Sequence, residues 1–255
     1  MHDHMRNEEN KVAIITGGSK GLGLEIVHHF LKFNFKVFTC ARAKQLIEIN
    51  HPNLFYIQGN VCDQDIHLEL AETAFEKFGN LNVYINNAGL SKWIPLKEID
   101  NDNLDELFKT NIYSAFWGCQ AAAKYMQPND VIINISSIAG KRGSKNNSAY
   151  VATKFAMNGL TQSLSKELGE KGIRVNAVCP VLVETEGLMF ALNNKNSPGY
   201  PDPKEFLERF KINQSSLGRL PNSEEVASLV YFLASKEASA ITGQCINVDC
   251  GVFPQ

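Results

Sequence analysis

No stretch of this 255-residue chain approaches the roughly 18 consecutive apolar residues that cross a bilayer, and the opening MHDHMRNEEN lacks the apolar run of a secretory signal. A cytoplasmic protein that does not engage membranes is therefore expected. There is no basic surplus either. With 25 Lys and Arg against 27 Asp and Glu, the formal net charge is -2, which argues against nucleic acid or an anionic membrane as main partner and points to a small ligand. The six cysteines (Cys40, Cys62, Cys119, Cys179, Cys245, Cys250) form no C-x-x-C pair, and most lie in apolar segments, so reduced buried thiols are expected rather than disulfides or zinc. His2, Asp3 and His4 read as part of a solvated tail over residues 1–10, and no metal site is expected. Internal repeats, low-complexity tracts and linkers are also missing, which leaves one domain from 11 to 255.

What is present is alternation. Short apolar runs at 11–16, 35–40, 54–58, 82–86, 130–136, 173–179 and 244–248 read as strands, most too apolar to be half exposed. Helical patterns fall between them at about 22–33, 64–78, 101–127, 149–170 and 222–235, and any helix within 41–53 must be brief. Strand and helix in alternation predict a doubly wound α/β fold, a parallel seven-stranded sheet of Rossmann type with ligands beyond the carboxyl ends of its strands. The least regular region, about 185–215, mixes Asn193, Asn194, Pro198, Gly199, Pro201 and Pro203 with Leu188, Met189, Phe190, Tyr200 and Phe206. It reads as an irregular insertion, either a mobile substrate lid or a plain surface loop.

The stretch TGGSKGLG, 16–23, follows the first strand and opens the first helix. Glycine permits the tight turn and a close backbone approach, and a helix N-terminus favours an anion such as a pyrophosphate. The spacing of Gly17, Gly21 and Gly23 is not G-x-G-x-x-G, and a lone glycine-rich turn is often only a connection. In SAYVATKFAM, 148–157, Tyr150 and Lys154 stand one helical turn apart. A free tyrosine, with a pKa of about 10, is a poor acid/base near neutrality, and an adjacent ammonium is expected to lower it toward the working pH. Alone, Y-x-x-x-K is usually a snorkelling surface pair.

These stretches, with NNAG at 86–89, Asn111 in KTN, NISS at 134–137, GIRVNAVCP at 172–180 and ITGQ at 241–244, together resemble the short-chain dehydrogenase/reductase family across nearly the whole chain, in the family's order. Within it, the chain resembles NADP(H)-preferring members and 3-oxoacyl-carrier-protein-reductase-like proteins. The resemblance implies a catalytic set of Asn111, Ser137, Tyr150 and Lys154. Ser137 binds the substrate oxygen, Tyr150 exchanges a proton with it, Lys154 tunes Tyr150 and holds the nicotinamide ribose, and Asn111 holds a water that relays protons through the lysine. Strand alternation aims Ser136 the other way.

The resemblance also implies a nicotinamide dinucleotide held by Gly17, Ser19, Lys20, Gly21, Leu22 and Gly23, by Asn60 and Val61 at the adenine, by Asn87, Ala88 and Gly89, by Tyr150 and Lys154, and by Pro180, Val183 and Thr185. The second strand ends in Cys40, Ala41 and Arg42 with no carboxylate for a ribose hydroxyl. Arg42 can fork onto a 2′-phosphate and Lys20 can add a point charge, so NADP(H) is expected over NAD(H).

Two departures from the family stand out. Pro180 is followed by Val181 where glycine is usual, and Asp249-Cys250-Gly251 replaces Asp-Gly-Gly, altering a turn or a subunit contact. Apolar or small residues on more than one face of 101–127 and 149–170, Phe116 and Phe155 among them, favour a homodimer or homotetramer, although core packing explains part of the pattern. The expected function is hydride transfer between NADP(H) and a small ketone or secondary alcohol. Its rivals are a 3-oxoacyl-carrier-protein reductase, to which Lys141 and Arg142 would offer charge, an NAD-dependent alcohol or sugar dehydrogenase, and a nucleotide sensor without turnover.

Overall fold

Seven of the apolar runs become parallel strands of one sheet: β1 (Val12–Thr16), β2 (Lys36–Ala41), β3 (Leu54–Gln58), β4 (Val83–Asn86), β5 (Val131–Ile135), β6 (Arg174–Pro180) and β7 (Cys245–Val248). Their spatial order is β3-β2-β1-β4-β5-β6-β7, so the direction of winding reverses between β1 and β4. This computed structural model describes residues 11–42 and 50–254. The N-terminal tail with His2, Asp3 and His4, and the brief helix considered within 41–53, fall wholly or largely outside the described residues.

Side-chain alternation along the strands separates two cores. Ala13, Ile15, Val37, Val83 and Ile133 face helices α1 (Gly21–Lys32) and α8 (Ser223–Ala234). Val12, Ile14, Phe38, Tyr84 and Ile132 face α2 (Gln64–Phe78) and α4 (Ser114–Tyr125). Apolar side chains on both faces of every central strand are what makes those runs read as continuous.

Two expectations need correction. The helix expected over 101–127 is broken into α3 (Asn101–Phe108), a π-turn over Lys109–Tyr113 and α4, with Asn111 at the centre of the turn. The 185–215 segment is not irregular. It folds into α6 (Glu186–Leu192) and α7 (Pro203–Gln214). Thr185 caps α6 by accepting from the Leu188 amide at 3.2 Å, and Asp202 caps α7 by accepting from the Glu205 amide at 3.0 Å, with Pro203 in the first turn. Leu192 and Leu207 are buried with Trp93, Ile138, Val181 and Val252 in a third apolar cluster. The turn formers between α6 and α7 mask two short amphipathic helices. α5 (Ser148–Glu167) begins one residue before the expected 149–170 span.

The six cysteines are free thiols, with Cys40, Cys119 and Cys179 buried. Among the described residues no helix is long and apolar enough to cross a membrane.

Candidate active site at the carboxyl ends of β1, β4 and β5

β1 ends at Thr16, whose hydroxyl accepts from the backbone amides of Asn87 and Ala88, each at 3.1 Å. The Asn87 amide nitrogen donates back to the Thr16 carbonyl at 2.9 Å and the Gly17 carbonyl at 3.3 Å. These bonds fasten the glycine turn to the end of β4 at the topological switch point, where open α/β sheets hold their ligands. Gly17 has φ +69°, a left-handed conformation that a side chain would strain. Gly23 is required for a different reason: a Cβ there would stand 2.3 Å from the Gly17 carbonyl oxygen and 2.4 Å from the Asn87 amide nitrogen. The next helix starts at Gly21 with Lys20 as its cap residue, no side-chain cap and no acidic residue in its first turn. Its amides and dipole thus remain available to an anion, so this cradle fits a dinucleotide pyrophosphate.

The remaining predicted cofactor residues fall around that cradle to different degrees. Thr185 closes it, its methyl lying 3.7 Å from where a Gly21 Cβ would be. Leu22 packs on the first core from the opening turn of α1. Ser19 is half-buried within the turn. Lys20 and Arg42 are exposed and their side chains have no partner among the described residues. Asn60 uses its side-chain oxygen to accept from the Cys62 amide at 3.2 Å, while the Val61 carbonyl accepts from His67 at 2.8 Å. The Val183 side chain packs in the first core. Val181 lies in the third cluster.

Ser137 follows β5 and caps a short 3-10 turn, its oxygen accepting from the Ala139 amide at 3.1 Å and lying 3.5 Å from the Pro180 carbonyl. Its hydroxyl also acts on the phenol of Tyr150, on which it has a pKa-lowering influence. Ser136 is buried and turned toward the Lys154 carbonyl, 3.4 Å away, as strand alternation anticipates. Lys154, only 5 % exposed, donates to the Ile135 carbonyl at 2.8 Å, and its Nζ lies 5.7 Å from the centre of the Tyr150 ring. A Cβ on Gly89 would sit 3.5 Å from Asn111 Oδ1 and 3.8 Å from Lys154 Nζ, so the backbone after β4 passes directly over both.

The electrostatics differ from expectation. Burial pushes the Tyr150 phenol up to about 12, against a lowering contribution from the Ser137 hydroxyl and a small further rise from Cys179. The ammonium was expected to bring it down. Desolvation dominates instead, and it also loosens the proton of Lys154, whose pKa falls to about 8. Asn111 is fully buried with its amide committed: Oδ1 accepts from the Leu90 amide at 2.7 Å, and Nδ2 donates to the Leu90 carbonyl at 2.9 Å and to Thr153 Oγ1 at 3.0 Å. Its side chain joins the π-turn, the segment after β4 and the first turns of α5.

Several residues important to this geometry were not anticipated. Thr16, Thr39 and Thr153 tie strand ends and helix starts together; Thr39 accepts from the Gly18 amide at 3.0 Å. Asn86 donates to Asn134 at 2.9 Å, and Asn134 donates to Thr161 at 3.0 Å, a buried chain from β4 through β5 to α5. The available signal was an asparagine inside each of two apolar strands, VYIN and VIINI. Lys141 donates to the Cys245 carbonyl at 2.5 Å and Arg142 lies over the Phe253 ring, so both turn toward the C-terminal segment. Cys250 adopts φ +52°, a left-handed conformation that glycine takes without strain, in the turn at Asp249-Cys250-Gly251.

Comparison with known proteins bears on the same features. The family profile described as short chain dehydrogenase matches residues 11–196. The chain is 35% identical to the L-2,3-butanediol dehydrogenase of Corynebacterium glutamicum, over 96% of this chain and 99% of that protein. It is 34% identical to a diacetyl reductase, (S)-acetoin forming, of Staphylococcus aureus, over 95% and 98%. The ligand-free aldohexose dehydrogenase of Thermoplasma acidophilum superposes with a TM-score of 0.87 at 28% identity, covering 97% of this chain and 98% of that one.

Proposed function

The chain belongs to the short-chain dehydrogenase/reductase family of nicotinamide-dependent oxidoreductases, and from that premise we propose that it transfers hydride between NADP(H) and a small ketone or secondary alcohol, with Tyr150 as general acid. The observation that carries this reading is the placement of the buried Lys154 ammonium 5.7 Å from the centre of the Tyr150 ring, one helical turn along α5, with the Ser137 hydroxyl acting on the same phenol.

When bound, the reduced nicotinamide supplies hydride to the carbonyl carbon. Ser137 orients the carbonyl oxygen, its geometry set by the 3-10 turn it caps. Tyr150, with its pKa near 12, keeps its proton at neutral pH, and an alkoxide forming on the substrate is a far stronger base than a phenolate. Proton donation is thus downhill, which favours the reducing direction. Lys154 restores that proton and, from the Ile135 carbonyl, holds a ribose hydroxyl. Asn111 fixes the backbone that passes over the lysine, and any relaying water would meet its main chain, since its amide is committed.

Lys20 and Arg42 support NADP(H) through two unpaired cations beside the dinucleotide cradle. α6 and α7 serve as the substrate lid. Phe116 and Phe155, each 48 % exposed on α4 and α5, support a homodimer or homotetramer formed through those helices in the cytoplasm. The test is NADPH consumption, followed by absorbance against a panel of ketones, for the wild type and Tyr150→Phe. Turnover in the first and its loss in the second is expected. A wild type that binds NADPH and consumes it with no carbonyl overturns the reading in favour of a sensor.

A further inference from the structure

Outside the catalytic groups lies a buried imidazole with both ring nitrogens committed. His67, on α2, places Nε2 2.8 Å from the Val61 carbonyl and Nδ1 2.8 Å from the hydroxyl of Tyr84, which is fully buried on β4. A carbonyl oxygen only accepts, so Nε2 carries the proton and Nδ1 accepts from the phenol. Burial holds the imidazole below its ordinary pKa, against a raising influence of the Val61 carbonyl. The ring is therefore neutral near pH 7, and this one tautomer persists.

The bond from His67 ends on the turn over 59–63, which leaves the carboxyl end of β3. That turn is fixed at its start, where the Gly59 amide donates to the Ala41 carbonyl at 3.0 Å and a Cβ on Gly59 would stand 2.3 Å from the Ile66 side chain. The Asp63 amide closes it by donating to the Asn60 carbonyl at 2.9 Å. Val61, in the middle, is held by His67. In the sheet order β3-β2-β1-β4-β5, this turn lies on one side of the glycine turn, and Ser137, Tyr150 and Lys154 lie on the other. A dinucleotide with its pyrophosphate on the glycine turn and its nicotinamide at Tyr150 extends its adenosine toward the ends of β2 and β3. Asn60 is exposed there.

We propose that His67, oriented by Tyr84, is a positioning residue for the adenosine half of the cofactor, and that it acts by holding the Val61 carbonyl and so the turn that receives the adenine ring. This rests on the oxidoreductase reading and extends it to two residues that touch neither nucleotide nor substrate. The relay runs from β4, beside the switch point, through α2 to the backbone after β3. Without the imidazole, the Val61 carbonyl satisfies itself only by turning toward water, which rotates the peptide that the nucleotide meets. Without the phenol, Nδ1 is left as a buried acceptor with no donor, and the ring loses the contact that fixes its orientation.

The experiment measures the Kd of ADP by calorimetry, since ADP carries the adenine and the pyrophosphate common to both nucleotides, together with kcat and the KM values for NADPH and a ketone. His67→Leu should raise the ADP Kd and the NADPH KM by the same factor, about tenfold, while kcat at saturating nucleotide and the ketone KM stay within about twofold of the wild type. His67→Gln, whose amide can still donate to Val61, should restore most of the affinity. Tyr84→Phe removes one oxygen atom and should give a smaller rise in the same two constants; it carries the test if the leucine variant does not fold. If ADP and NADPH affinities are unchanged in His67→Leu and Tyr84→Phe, or if kcat and the ketone KM worsen by the same factor as the nucleotide constants, the positioning role is wrong while the oxidoreductase reading stands. If the wild type binds ADP but consumes neither NADPH nor NADH with any ketone, the oxidoreductase reading falls and the ADP constants still judge His67. A wild type that binds none of the three overturns both.

Discussion

Lys154 sits 5.7 Å from the centre of the Tyr150 ring, yet its hydrogen bond runs to the Ile135 carbonyl and not to the phenol oxygen. The ammonium is thereby held by the end of β5, free to serve a ligand hydroxyl on one side and the tyrosine on the other. Lys154 is buried and Tyr150 half-buried, and desolvation moves each toward its neutral form.

The pH profile of carbonyl reduction should therefore report the lysine. With Tyr150 near 12 and Lys154 near 8, kcat/KM should decline above about pH 8 as the ammonium deprotonates, with no separate loss from the tyrosine below pH 10. A profile flat to pH 10 would contradict this. Tyr150→Phe should lower kcat by about 10²- to 10⁴-fold at every pH.

Stability carries the opposite signature. A lysine whose pKa falls to about 8 on folding binds fewer protons than in the unfolded chain between roughly pH 8 and 10, so stability rises across that window. Below pH 8 the folded state bears the full cost of the buried charge, about 3 kcal/mol. Lys154→Met should be more stable than the wild type at pH 7 in urea denaturation and lose much of that advantage by pH 10, while being inactive.

Nucleotide preference tests the two exposed cations. Arg42→Ala should weaken NADPH binding about 10- to 100-fold and leave NADH binding within a factor of three, the loss expected for a charge-assisted contact to phosphate. Titration calorimetry with both nucleotides measures this, and an unchanged ratio removes the argument for the 2′-phosphate.

Gly23→Ala places a methyl group into the Gly17 carbonyl and the Asn87 amide. Opening the turn to accommodate it should destabilise the protein by about 1–3 kcal/mol and abolish detectable nucleotide binding. Thermal unfolding and nucleotide titration separate the two effects.

Phe155→Glu puts a charge on the exposed apolar face of α5. Sedimentation should find the wild type as a dimer or larger and this variant as a monomer, and an assembled variant would mean that another surface mediates association.

Much of this was legible in the chain. The central strands announce themselves because a strand covered on both faces must be apolar at nearly every position, and Gly17 and Gly21 mark a turn because few other residues tolerate its backbone, while Gly23 leaves room for the close approach of Gly17 and Asn87. α6 and α7 were not legible, since the Asn, Pro and Gly residues between them obscure two short periodic stretches whose apolar faces are satisfied only by Trp93, Ile138 and Val252 from distant parts of the chain. The π-turn at Asn111 was hidden for the same reason, as no local pattern distinguishes it from the helices that flank it.

By itself, then, the sequence determined the order of strands and helices, the glycine turn and the spacing of Tyr150 and Lys154, all consequences of local periodicity and backbone sterics. Tertiary structure alone decided that the phenol rises where its neighbour suggested a fall, that the Asn111 amide is committed to Leu90 and Thr153, and that the oxygen of Asn147 is buried without a donor. Desolvation and hydrogen-bond completion depend on which remote segments exclude water from a group, and no window of neighbouring residues contains that information.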